Sequence, residues 1–288
     1  MKIYLNGRLV DKDKAVISVF DHGLLYGDGV FEGIRTYNRL VFRLKEHIDR
    51  LYRSADAIKL KIPLTKAGMI TAVVKTLKAN KLKDAYIRLV ITRGPGDLGL
   101  DPRKCKGPTI FIITDKIVLY PKEFYQKGLE IITAATKRNH PQALDSRIKS
   151  LNYLNNILAK IDAIKAGTEE AIMLTSDGYV AECTGDNIFM MKDGELITPP
   201  VNIGALEGIT RDAVIGLARQ LGLIFSEKLI NVDDLYGADE VFLTGTAAEI
   251  IPVIRIDKRQ IAEGRPGRTT LKLWDEFKKL TKKDGIRY

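Results

Sequence analysis

Residues 119–137, LYPKEFYQKGLEIITAATK, divide the chain into two lobes. Pro121 and the polar run up to Gly128 stop one strand-like pattern and GLEIITAATK starts another, so 119–127 reads as a linker. Upstream, MKIYLNGRLV (1–10) and VISVF (16–20) have strand character, and GVFEGIRTYNRLVFRL (29–44) reads as a hairpin turning at Tyr37-Asn38-Arg39. In LKEHIDRLYRSADAIKL (44–60), Leu44, Ile48, Leu51, Ala55 and Ile58 recur at helical spacing until Pro63. A second amphipathic segment (65–80) and strands at 84–94 and 109–120 complete this lobe. Downstream, NYLNNILAKIDAIKAG (152–167) is a long helix closed by Gly167. Strands follow at 169–175, 179–184, 187–194 and 195–200, then a helix at 209–222 that ends at Gly222. Strand 240–245 leads into TAAEIIPV (246–253), and TLKLWDEFKKLTKK (270–283) closes the pattern. The expectation is a mixed α/β protein with a small α+β lobe at 1–118, the linker, and a larger cofactor-binding lobe at 128–288.

A length of 288 residues suits two such lobes, and 45% hydrophobic against 28% charged residues supplies a globular core. Cys105 and Cys183 are the only cysteines, which excludes a disulfide framework. The opening stretch lacks the apolar core of a signal peptide, and no run approaches bilayer length, so a cytoplasmic protein is expected. Lys and Arg exceed Asp and Glu by 46 to 36, a net charge of +10. The basic residues are interspersed with acids, as in DKDK, RLKEHIDR and TKKDG, without a long basic tract or interleaved aromatics. That pattern describes a solvated surface rather than a nucleic-acid face. Abundant Lys, Arg and Glu with little Gln and Cys also fits a thermophile.

Common catalytic constellations are missing. There is no GxxxxGK[ST] and no GxSxG, and His22, His47 and His140 are scattered without HExxH spacing, so no metal site is expected. GDGVFEG misses the dinucleotide fingerprint by one residue and reads as a tight turn entering a strand. Four separated features remain. Lys149, in SRIKSLNYLNN, is either a surface lysine or an amine placed at a helix mouth to condense with an aldehyde, with the Tyr153 hydroxyl near the same ligand. Glu182, in GYVAECTGDNIF, is either a satisfied strand residue or the acid that keeps a proton on a heterocycle nitrogen. Gly208, Ile209 and Thr210 open a helix and offer its N–H groups to a phosphate, unless the helix is an ordinary Thr-initiated one. Thr244, Thr246, Ala247 and Ala248, small residues and hydroxyls after a strand, suit a tight turn or close approach to an anion. Arg50 can add a phosphate charge from the first lobe. Taken together, an aldehyde-binding lysine, a ring-nitrogen acid, a phenol and a phosphate cradle describe pyridoxal 5'-phosphate.

The ordered segments HGLLYGDGVFEGIR, EHIDRL, AYIRLV, IKSLNYL, AECTGDNIF, GITRD and TGTAAEI resemble the branched-chain aminotransferases among the fold-type IV pyridoxal-phosphate enzymes, over residues 6 to about 270. The resemblance implies a small α+β domain, a larger α/β domain with a barrel-like sheet, and a homodimer or higher oligomer whose partner chain completes the active site. It makes Lys149 the Schiff-base lysine and proton shuttle, and Glu182 the partner of the pyridine nitrogen. Tyr153 would meet the ring hydroxyl, and Arg50, Ile209, Thr210 and Thr246 the phosphate. Tyr26, Phe31 and Gly33 would line the substrate pocket, and Thr246 and Ala247 would receive the α-carboxylate. Tyr86 and Arg88 would reach the same site, with the arginine facing the side-chain carboxylate of glutamate. The implied reaction is ping-pong transamination between leucine, isoleucine or valine and 2-oxoglutarate, a step of branched-chain amino-acid biosynthesis. D-amino-acid transaminases share YGDGV, EHIDRLY and IKSLN, but the Arg-x-His pair in which they resemble one another is missing from TRGPGDLGLDP. Aminodeoxychorismate lyases share fold and cofactor, and Tyr26-Gly27 with Arg88 speaks against them. The interdomain aromatic of the family is matched by either Tyr120 or Tyr125.

Overall fold

The hairpin read at 29–44 forms two strands whose turn places Asn38 and Arg39 at positive φ, the geometry a tight antiparallel turn needs. In the computed structural model, residues 1–116 and 120–288 are described. They fall into two units: 1–116 with Ile148–Asn152 and Thr281–Tyr288, and 120–147 with Tyr153–Leu280. The strand read at 109–120 ends at Asp115, and the expected lobe boundary at 118/119 lies outside the described residues. Segments 148–152 and 281–288 belong to the first unit although they follow the linker in sequence.

The first unit contains β1 (Lys2–Leu5), β2 (Arg8–Asp11), α1 (His22–Tyr26), β3 (Gly29–Tyr37), β4 (Leu40–Phe42), α2 (Leu44–Ala57), α3 (Lys66–Ala79), β5 (Ala85–Thr92) and β6 (Thr109–Asp115). With the C-terminal strand Gly285–Arg287, its strands make one seven-stranded sheet in the order C-terminal strand, β4, β3, β5, β6, β1, β2. Every pairing in it is antiparallel. Ile34, Ile87, Leu89 and Ile112 share a core with Leu44, Ile48, Leu51 and Ala55 of α2 and Met69, Val73 and Leu77 of α3. Strand alternation therefore sends Phe31, Gly33, Tyr86 and Arg88 to the other face. VISVF is not a strand: residues 16–20 pair with nothing as a ladder, and Val16, Val19 and Phe20 are exposed. β-branched residues favour a strand only where a pleated neighbour receives them.

The second unit holds α4 (Lys122–Lys127), β7 (Leu129–Thr133), α5 (Leu154–Lys165), β8 (Glu170–Leu174), β9 (Val180–Cys183), β10 (Asn187–Lys192), β11 (Glu195–Thr198), α6 (Ile209–Gln220), β12 (Ile224–Glu227), α7 (Val232–Tyr236), β13 (Glu240–Gly245), β14 (Glu249–Ile256), β15 (Arg259–Gln260) and α8 (Arg268–Leu280). Its nine-stranded sheet runs β12, β11, β10, β13, β14, β7, β8, β9, with β15 beside β14. Parallel pairs at β11–β12, β14–β7 and β7–β8 make it mixed. A small α+β unit and a larger α/β unit are thus the architecture. Part of the expected linker is helical: in α4, Tyr125 is buried and stacks on Trp274 at 5.2 Å.

Candidate active site

In the first unit, Lys149 sits on a short segment laid along β3. The Phe31 N–H donates to the Lys149 carbonyl at 3.0 Å, the Leu151 N–H donates to the Gly29 carbonyl at 2.9 Å, and Ser150 bridges Val30. The Lys149 N–H donates to Ser54 Oγ of α2 at 3.1 Å. Lys149 Nζ lies 4.5 Å from the centre of the Phe31 ring, and the Arg88 guanidinium lies 4.6 Å from the same ring. Arg88 Nη2 donates to the Tyr86 hydroxyl at 2.9 Å. Gly33 is opposite Arg88, and a Cβ there would come within 2.1 Å of the Tyr86 hydroxyl, so the absence of a side chain admits the phenol. Phe31, Gly33, Tyr86, Arg88 and Lys149 thus form one cluster of an amine, an apolar wall and a cation. Tyr26 does something else: its hydroxyl donates to the Leu98 carbonyl at 2.5 Å and its ring packs edge-on against His22.

Arg50 is buried and takes part in a network absent from the sequence reading. Its Nε and Nη2 donate at 2.8 Å each to the two carboxylate oxygens of Glu32, and Glu32 Oε2 also lies 2.7 Å from His47 Nδ1. Burial alone opposes the charge on Glu32, but Arg50 and His47 outweigh it and hold the carboxyl down at about 2. Burial pushes the His47 imidazole the other way from the usual effect of a carboxylate neighbour, below its ordinary value, so neutral His47 donates from Nδ1.

In the second unit, Glu182 accepts from Arg138 Nη2 at 2.5 Å, from Asn187 Nδ2 at 3.2 Å and from the Leu206 N–H at 2.8 Å. Arg138 is itself fixed by the Gly204 carbonyl and Asn156 Oδ1. Asn187 links this acid to α6: a Cβ on Gly208, the residue before the helix, would meet Asn187 Oδ1 at 2.1 Å. The α6 N-terminus, where Ile209 and Thr210 are buried, has no side-chain cap. Thr244 is opposite Asn187 on β13, and its buried hydroxyl has no partner among the described residues. Thr246 and Ala247 lie in the turn joining β13 and β14, and Tyr153 caps α5. An uncapped helix start of 12 residues, a turn of small and hydroxyl residues, and a fixed carboxylate fit a phosphorylated nitrogen heterocycle. Among the described residues, no group of three or more His, Cys, Asp and Glu could hold a metal ion, and no helix is long and apolar enough to cross a membrane.

Sequence reasoning thus named Arg50 and Glu182 but missed Glu32, His47, Arg138 and Asn187, which hold them. His47 and Arg50, three apart on a helix, carried a readable signal because they share a face.

Residues 29–256 match the model of the class IV amino-transferase family. The chain is 55% identical over 287 residues to a Methanocaldococcus jannaschii protein named, provisionally, as a branched-chain-amino-acid aminotransferase, covering 100% of this chain and 99% of that one. Its fold superposes on the crystal structure of the Escherichia coli branched-chain amino acid aminotransferase with a TM-score of 0.95 at 36% identity, covering 97% and 94% of the two chains. The Thermobaculum terrenum branched-chain enzyme, solved with pyridoxal phosphate bound, gives 0.88 at 33% identity over 97% and 93%. The chain therefore belongs to the class IV aminotransferases. The relatives it resembles along its whole length are branched-chain enzymes of that family.

Proposed function

We propose that this protein transfers amino groups between L-leucine, L-isoleucine or L-valine and 2-oxoglutarate with pyridoxal 5'-phosphate as cofactor. The observation that carries the reading is the cluster on the face of the first unit's sheet opposite α2: Lys149 Nζ and the Arg88 guanidinium against one Phe31 ring. An apolar wall suits a branched aliphatic side chain, and a single cation held by Tyr86 admits the second carboxylate of glutamate into the same space. One pocket then serves two unlike substrates in turn, as ping-pong transfer requires.

When bound, pyridoxal phosphate supplies an aldehyde that accepts an amine and a ring that draws electrons from the substrate Cα. Lys149 would hold the cofactor through Nζ, and its amine, once free, would take the proton from the substrate Cα as general base and deliver it to the cofactor carbon as general acid. Glu182 keeps the ring nitrogen protonated, and Arg138, Asn187 and the Leu206 N–H fix its carboxylate for that task. Arg50, Ile209, Thr210 and Thr246 are the residues assigned to the phosphate. Tyr153 orients the ring through its hydroxyl. Thr246 and Ala247 receive the substrate α-carboxylate, while Phe31 and Gly33 shape the side-chain pocket; Tyr26 is assigned to it by the resemblance alone. The working form is a homodimer or higher oligomer, a reading supported by the exposed Val16, Val19, Phe20, Leu24 and Leu100 of the first unit.

The test is the absorption spectrum of the purified protein supplied with pyridoxal phosphate and titrated with L-leucine. The expected result is a yellow band that L-leucine converts to the pyridoxamine form. A band that ignores L-leucine and answers D-alanine would move the activity to D-amino acids, and no band would end the reading.

A further inference from the structure

The two functions assigned to the first unit, an amine at Lys149 and a phosphate cation at Arg50, are both held by one face of α2. His47, Arg50 and Ser54 lie at i, i+3 and i+7 on that helix, so all three point toward β3 and the 148–152 segment. Ser54 fixes the backbone of Lys149, while Arg50 and His47 grip Glu32. Glu32 is fully buried at 0% exposure, between Phe31 and Gly33 on β3. Its side chain points away from the substrate cluster, because strand alternation puts its two neighbours on the opposite face.

A buried carboxylate is an expensive way to hold a fold together, since an apolar pair of similar volume generally stabilises as well. A carboxylate beside an arginine assigned to a phosphate also lowers the net positive charge offered to that phosphate. What it supplies instead is orientation. Two parallel bonds from Nε and Nη2 fix both the position and the plane of the guanidinium, which a single contact to a flexible side chain does not do. The neutral His47 ring, donating from Nδ1, fixes the carboxylate in turn.

We propose that Glu32 is a positioning residue for the cofactor phosphate, acting through Arg50, with His47 setting the carboxylate. The proposal rests on the assignment of Arg50 to the phosphate, and its test separates the two. The dissociation constants of pyridoxal 5'-phosphate and of unphosphorylated pyridoxal are measured by absorbance titration for the wild type, Glu32→Gln, Glu32→Asp, Arg50→Met and the Glu32→Gln/Arg50→Met double variant. Loss of a charge-assisted bond predicts that Glu32→Gln weakens pyridoxal phosphate about 10- to 100-fold and pyridoxal less than about 3-fold. The double variant should bind pyridoxal phosphate no more weakly than Arg50→Met alone, because Glu32 acts only through that arginine. A merely structural role would weaken both ligands alike, and that result overturns the proposal, as does an unchanged preference for the phosphorylated ligand in Glu32→Gln. If Arg50→Met leaves the preference unchanged, the assignment of Arg50 itself has failed and the proposal falls with it. Glu32→Asp, which keeps the charge but shortens its reach, gives the same reading where Glu32→Gln does not fold. If neither single variant folds, the network supports the sheet rather than the site, and the proposal is overturned.

Discussion

Each of the two units holds an arginine–glutamate pair with both members buried, and in the proposed function the two pairs are mirror images. In the first unit the arginine, Arg50, is the member we assign to the ligand, and Glu32 is its support. In the second it is the carboxylate, Glu182, that we assign to the ligand, with Arg138 supporting it. The supports differ too. Glu32 meets side chains of α2, whereas Glu182 also accepts a backbone N–H from Leu206 and an amide from Asn187, which leads to the start of α6. The first pair fixes one cation against a helix. The second ties an acid, through Asn187, to the uncapped start of α6. On the proposed roles, binding strength would be concentrated in how the first pair orients Arg50, and proton placement in how the second pair orients Glu182.

The largest effect that can separate these roles from the chemistry is removal of the amine. Lys149→Ala should abolish measurable transamination while both pairs, and noncovalent cofactor binding, persist. Substantial turnover by the folded variant would remove Lys149 from the centre of the site.

Glu182→Ala comes next. It should lower the turnover rate by at least about two orders of magnitude at saturating cofactor, as expected when the ring nitrogen loses the group that keeps it protonated. Arg138→Met should act in the same direction but less, because Asn187 and the Leu206 N–H still hold the carboxylate. Single-turnover rates with L-leucine and the cofactor dissociation constant, measured together, check both. If Glu182→Ala weakened only cofactor affinity and left the rate intact, the two pairs would share one function and the contrast would collapse.

How much of this was legible in the sequence depends on the range of the interaction. Local patterns carried the hairpin at 29–44, the apolar spine of α2 and the helix beginning at Ile209, because each is encoded within a few turns or one strand alternation. The residues assigned to the ligand were legible as chemistry: a lysine before a helix, an acid in a strand, a helix opened by Gly208, Ile209 and Thr210. Their supports were not. Arg138 stands in KRNH with no periodicity around it, and only the fold brings it to Glu182, 44 positions away. Nothing in the sequence around Glu32 marks it as the partner of Arg50; only the packing of α2 against β3 brings the two together. The strand expected at 16–20 failed for the converse reason: its propensity was real, but no neighbouring strand receives it.

The smallest expected effect is a difference in acid sensitivity, and its sign follows from the first pair. Glu32 titrates at about 2 in the folded unit against an ordinary 4.5, so the unfolded chain takes up the proton first. The stabilisation from Glu32 is complete above 4.5 and declines as the pH falls toward 2. His47, held below its ordinary 6.5 chiefly by burial, adds to the loss: below 6.5 the unfolded chain gains a proton that the folded unit resists. Acidification from neutrality should therefore lower the melting temperature of the apo-protein, gently between 6.5 and 4.5 and more steeply below 4.5. The Glu32→Gln/Arg50→Met variant has lost the carboxylate and its partner, so its melting temperature should fall less steeply below pH 4.5 than that of the wild type. Thermal melts of both proteins in steps from pH 7 to pH 3, followed by circular dichroism, measure the two slopes. Parallel slopes would mean that the folded unit gives up the Glu32 charge as readily as the unfolded chain does, and the rigid grip on Arg50 would have to be abandoned with it.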